Sequence, residues 1–354
     1  MKSSFETPGV AGAVPPVMKN MFGRIRLAVL ALTVVALQGC GIIYKTTGDV
    51  LISYGSNEMV PYLLTYDDVG MGCTTGEALT PLLMSFEAVG SNPDRLAPLV
   101  FTVAATCTEA LATEQELRYS RALKDGNVNE AQDARALQKR YLRVTAQRYY
   151  TAYQRVTAQY GEADNGQCPR LRKDFDELVW MVGQIAGVQA VLNDGASDAS
   201  LGIPRDIAAK VERGAACLDN EKWWGVPNGT RAALWSILPM FAPEGADAWQ
   251  EMDRSVRIGF EQGVRLPSAL SAIAAHSVGD EQRVRRSIRE FANNNNDLDP
   301  NYAMLDALAE FLITGVSDRM WTEATGRRTP FNALGTFWDD ARSSQPDFDI
   351  DDLL

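Results

Sequence analysis

Few residues in this chain have side chains suited to catalysis. There is one histidine, His276, in "AIAAHSVGDE". It reads as a helix end, where an imidazole can meet terminal carbonyls, and Asp280 is placed to cap the helix that follows. A general base needs a nucleophile beside it, and no serine or cysteine motif supplies one. The sequence holds no G-x-S-x-G elbow, no P-loop and no G-x-G-x-x-G after a strand. Asp67/Asp68 and Glu114/Glu116 are adjacent or alternate in sequence, a spacing that does not put two carboxylates on one helix face. They read as solvated charge. Asn228-Gly229-Thr230 matches a glycosylation acceptor only in form. The expectation is a protein that is not an enzyme and needs no cofactor.

The five cysteines carry more information. Cys40 closes "LQGC" after the uncharged run Leu27 to Leu37, which is too short for the ~20 residues that a membrane-crossing helix needs. Lys19, Arg24 and Arg26 precede the run as a signal peptide's positive region does. Leu37-Gln38-Gly39-Cys40 looks like a bacterial lipobox, so residues 1–39 are expected to be a signal peptide, with Met18 or Met21 giving a start of ordinary length. Cys40 becomes the acylated first residue. Several acyl chains anchor stably where one is marginal, and Gly41 at the next position favours the outer membrane. Removing residues 1–39 leaves 30 basic against 44 acidic residues, a formal net charge of −14. That balance argues against nucleic acid, whose phosphates need lysine and arginine, and leaves the lipid anchor as the sole membrane contact.

Cys73, Cys107, Cys168 and Cys217 make an even set in an export setting, where disulfides persist. Pairing Cys73 with Cys107 and Cys168 with Cys217 joins neighbouring helical segments without crossing loops. Four reduced, buried cysteines are the other reading. No two fall at the short spacing of a zinc site, so no metal is expected.

Elements of one kind must position these residues. From Val128 to Tyr160 apolar and aromatic residues recur mostly at steps of three and four, one face of a helix about 50 Å long, with Gly126 before it and Gly161 after it. Further helices are expected over 173–192, 204–218, 76–89, 95–117, 229–238, 246–262, 281–292 and 300–314. "GSNPD", "APEGAD", "SVGDE" and "NNNNDLD" link them. Period-two alternation is scarce, which argues against a sheet. The fold class is therefore all-α, with stacked antiparallel helix pairs that form a solenoid or a ring; the generic tetratricopeptide signature is not legible.

Two aromatic groups stand out: Tyr149, Tyr153 and Tyr160 on one face of the long helix, and Trp223-Trp224 between two helices. They fit core packing and equally the amphipathic lining of a groove or pore.

"ALQKRYLRVTAQRYYTAYQRV" (136–156) resembles the Tyr-Leu-Arg segment of the T components of tripartite ATP-independent periplasmic (TRAP) transporters. Leu178-Val179-Trp180 stands where that family has a Leu-Tyr-Trp-like element. Residues 203–239 resemble its order of Pro, helix, Leu-Asp, aromatic-Gly, helix, Pro, and "YAMLDALAEFLITGVSDRMW" (302–321) is similar to its last helix. The resemblance runs from about Pro61 to Trp321. It implies a cryptic tetratricopeptide-like superhelix, placed at 61–338; the residues themselves give a lipidated tether at 40–60 before it and, as a departure from that family, an acidic flexible tail at 339–354. It further implies a homotrimer around an apolar pore, with Tyr149, Tyr153, Tyr160, Trp180, Trp223 and Trp224 as candidate lining. The partner would be the solute-binding (P) protein of a TRAP system, and the ligand a hydrophobic molecule or an organic acid. The alternative is a helical scaffold lipoprotein that organises envelope protein complexes.

Overall fold

The computed structural model describes residues 41–163, 167–295 and 297–340. The signal peptide, Cys40 and the part of the acidic tail from 341 onward lie outside the described residues. Among those described, eleven helices and no strand are found, with neighbours in sequence packed side by side. No described helix is long and apolar enough to cross a membrane.

Helix α1 covers residues 41–64 and contains one π turn, Gly55–Met59. The others are α2 (Val69–Ser85), α3 (Ala97–Lys124), α4 (Val128–Tyr160), α5 (Asp174–Ala196), α6 (Ile207–Ala215), α7 (Val226–Ile237), α8 (Ala248–Glu261), α9 (Leu266–Ser277), α10 (Glu281–Asn293) and α11 (Ala303–Thr325). Boundaries follow side-chain chemistry. The carboxylates of Asp68, Asp247 and Asp280 and the amide oxygen of Asn127 accept backbone N–H groups in the first turns of α2, α8, α10 and α4.

The frame is the α3/α4 hairpin, closed by the short link 125–127 and packed on α2 and α5. Small residues let its backbones approach: Ala104, Ala105, Ala112, Ala131, Ala134, Ala146 and Ala152 are all buried. Gly183 and Gly187 do the same for α5 on α4, because a Cβ at either would meet Val156 at 2.4 Å or Tyr153 at 2.6 Å. Disulfides tie Cys73 of α2 to Cys107 of α3, and Cys168, just before α5, to Cys217, just after α6; both have Cα atoms 5.5 Å apart.

The last helix returns to the first ones. α11 packs against α9, α3 and α2. Lys124 donates to the carbonyls of Glu323 (2.8 Å) and Ala324 (2.6 Å), capping the C-terminus of α11. Arg319 holds Glu116 at 3.0 Å and Arg328 holds Glu114. These links bridge about 200 residues of sequence and leave a hollow between α3–α5 and α9–α11.

Two segments differ from the expectations. Residues 41–64, expected mostly as a tether, are helical and seated on the body: Gly48, Ile52, Gly55, Ser56 and Val60 are buried. The reason is the small residue at 48 and at 55, where a Cβ would lie 2.5 Å from Ser91 or Leu96. The tail's first residues are also held, since Asp339 and Asp340 accept from Arg285 and Arg289, both at 2.6 Å.

Candidate functional site

The hollow has a volume of about 1600 Å³. Its walls come from the start of α2, the middle of α3 and α4, the end of α5, α9, α10, α11 and the segment 328–334. Leu117, Leu142, Leu192, Ile273, Phe311 and Leu312 supply apolar wall, interleaved with polar groups held in fixed pairs.

On the α3 side, Glu109 accepts from the Tyr149 hydroxyl at 2.8 Å and from the Asn193 amide at 3.2 Å. Tyr149 is also 3.1 Å from the Thr106 hydroxyl. Burial holds the Glu109 carboxyl above its ordinary pKa, opposed by those two donors. Burial and the neighbouring carboxylate push Tyr149 well up, so its phenol stays protonated as the donor. Facing them on α11, Arg319 bridges Glu116 and the Thr113 hydroxyl at 3.0 Å each. His276 also lines the wall; burial, and secondarily the Arg319 charge, lower its pKa, favouring the neutral imidazole.

The opposite wall holds an almost fully buried ion pair. Arg265 binds Asp306 with two parallel bonds, 2.8 Å from Nε and 2.6 Å from Nη2. It also donates to the Phe291 carbonyl and lies 3.8 Å from the centre of that ring. Each of the three guanidinium nitrogens thus donates within the protein. Of the four arginines in the wall, Arg265, Arg319 and Arg328 are committed to carboxylates, while Arg135 donates to Gln138 at 2.7 Å. Nine carboxyl groups line the same space, so its field is net negative.

None of the six expected aromatics lines this hollow. Tyr149, Tyr153, Trp180, Trp223 and Trp224 are core residues and Tyr160 is half-buried. Their polar ends explain why: Trp180 donates to the Gly214 carbonyl (2.9 Å), Trp223 to Glu177 (2.6 Å) and Tyr160 to Asp176 (3.0 Å), while Trp224 stacks edge-on with Trp223 and Tyr302. Tyr149 alone touches the site, through Glu109. Asp68, Glu114 and Glu116, expected as solvated charge, act as a helix cap and as ion-pair partners in the wall. His276 sits in the last turn of α9, and Asp280 caps α10 as expected.

Glu109, Asn193, Arg265, Asp306 and Arg319 were not singled out in sequence. A signal for two of them exists: Glu109 in "AATCTEALAT" and Arg265 in "GVRLPSALSAIAA" are single charges inside uncharged runs, which burial permits only with a partner; Asp306 in "AMLDALAEFL" shares its run with Glu310. Among the described residues no group of three metal-ligating side chains occurs. Compared with family models, curated proteins and solved structures, the chain has no match in any of the three.

Proposed function

We propose that this chain is a lipid-anchored accessory protein facing the periplasm, the T component of a TRAP-type transport system, and that its hollow holds a ligand. The observation that carries the reading is the 1600 Å³ hollow, open to solvent on one side, bounded by helices from both ends of the chain and lined by apolar groups mixed with paired polar ones, a make-up that small-molecule sites share. The sequence order of the T-component-like segments supports the transport assignment, and the "LQGC" motif at Cys40 supports the anchor.

Charge narrows the ligand. With nine carboxyl groups in the wall and three of four arginines already paired, a free polycarboxylate would enter against the field. A hydrophobic molecule is therefore the favoured cargo, and an organic acid would have to use Arg135. Partners follow from the same reading: a solute-binding protein at the mouth, and two further copies in a homotrimer.

Native mass spectrometry after gentle extraction tests the proposal in one measurement. An acylated N-terminus, a trimer mass and a co-purifying apolar small molecule are expected, together with capture of the solute-binding protein. Ala307→Trp, which fills the hollow from α11, should remove the bound molecule without dissociating the oligomer. Empty protein that instead associates with envelope assembly components would favour the scaffold reading.

A further inference from the structure

α1 is apolar on two sides. Its inner side, with Gly48, Ile52, Gly55 and Val60, is buried on the body. Turning 100° per residue places Ile43, Tyr44, Val50, Leu51 and Tyr54 together on the outer side. All five are between 41% and 64% exposed. The stripe is about 17 Å long and makes an apolar patch on the order of several hundred Å², a size that marks an interaction surface. Thr47 is its one polar member, and it carries no charge of its own between 43 and 54: Lys45 and Asp49 lie on the other side of the helix and neutralise each other at 2.6 Å.

We propose that this outer face of α1 lies on the lipid bilayer, embedded at the boundary between headgroups and acyl chains. The occupant follows from position and chemistry. The stripe begins three residues after Cys40, so an acyl anchor there puts it within reach of lipid. An uncharged face flanked by tyrosines fits a bilayer interface, where tyrosine rings concentrate; a charged protein partner would find nothing to pair with. Residues 41–47 are all exposed, so the helix meets the membrane before it meets the body. The tether is thus a rigid strut that fixes the orientation of the hollow relative to the membrane. This inference rests on the proposed acylation of Cys40.

The full-length protein, reconstituted in phosphatidylethanolamine/phosphatidylglycerol vesicles doped with an acyl-diazirine lipid, tests it by photolabelling and peptide sequencing. Label on Val50, Leu51 and Tyr54 is expected, falling at least tenfold in the Val50→Ser/Leu51→Ser/Tyr54→Ser variant, whose helical circular dichroism should match the parent. Label confined to 41–44 would mean a helix standing off the surface and would overturn the proposal. So would label no stronger than on Met240 and Phe331, exposed apolar residues elsewhere, as would a stripe protected by a second copy and unlabelled. The mass of the N-terminal peptide reports acylation separately, so loss of the anchor and loss of the docking are distinguishable.

Discussion

The two ends of the chain lean on different fastenings, although the first also has Arg95 over Phe175 and Arg135 over Tyr119, and the second also buries Ala269, Ala272 and Ala275. Up to residue 218, long helices pack through alanine and glycine and are stapled by Cys73–Cys107 and Cys168–Cys217. Beyond it there is no disulfide. Shorter helices are held by arginines lying on aromatic rings and reaching carboxylates: Arg283 over Trp249, Arg285 over Phe337 and Trp338, Arg289 over Phe337, and Arg265 over Phe291. Asp253, Asp306, Asp339 and Asp340 receive their donors. Close backbone approach makes a stiff frame, whereas guanidinium stacking joins surfaces that need not interdigitate. The hollow lies where the two kinds of fastening meet, with Glu109 and Glu116 from the first region facing Arg319 from the second.

The sharpest way to break this contrast is to strand one charge of the buried pair. Asp306→Ala leaves Arg265 without its carboxylate in a site where both are almost wholly buried, and should cost about 3–5 kcal/mol in denaturant unfolding. Arg265→Met combined with Asp306→Leu should recover most of that loss. A mild Asp306→Ala would mean that the second region does not depend on this pair.

Next in size is the covalent fastening. Each disulfide closes a loop of tens of residues, 34 and 49 apart in sequence, so replacing either pair by serine should lower stability by about 2–4 kcal/mol. Hydrogen exchange would sharpen the comparison: reduction should expose amides of α2–α6 while α8–α10 stay protected. Uniform exposure would make the two regions one cooperative unit.

A smaller effect is expected at the second region's rim. Arg285→Ala removes two stacked rings and the bond to Asp339, and thermal denaturation should report a loss of about 1 kcal/mol. Salt at 1 M should shrink the difference only in part, because stacking on Phe337 is less screened than the exposed ion pair.

The least costly changes act on slope with pH. Glu109 has a raised folded pKa, so the folded state holds its proton longer than the unfolded chain; stability falls as pH rises from the unfolded carboxyl value through the folded one. Glu109→Gln should flatten that fall. His276 has a lowered folded pKa, so its contribution is whole above about 6.5, the ordinary histidine value, and declines as acid protonates the unfolded chain first. His276→Gln should remove that decline. Denaturant midpoints measured from pH 4 to 8 would check both.

Legibility differed by element for physical reasons. The helix Val128–Tyr160 is readable because one face is wet, so the apolar residues keep a clean period between two glycines with positive φ. α9 was not among the expected helices: from Leu266 to Ala275 it is buried on nearly every side, and a helix without a wet face has no period to detect. α1 read as tether because its two apolar faces resemble an unpatterned segment. The aromatics drew attention as lining because tyrosine and tryptophan suit a pocket and a core equally, and only the partner of each polar end separates the two. The residues that do face the hollow were hidden, because a paired charge such as Arg265 or Arg319 looks like any surface charge until its carboxylate, 41 or 203 positions away, is brought beside it.

What the sequence determined by itself is the local part: helices in place of strands, many of their ends, and the type of fastening available at each, since periodicity, capping side chains and cysteine count act over a few residues. Tertiary structure alone decided which charges meet across 200 residues, that the chain closes on itself, and that the hollow is walled by paired polar groups and not by the conspicuous aromatics. Those outcomes depend on contacts between distant segments, and no short-range pattern encodes the distance between them.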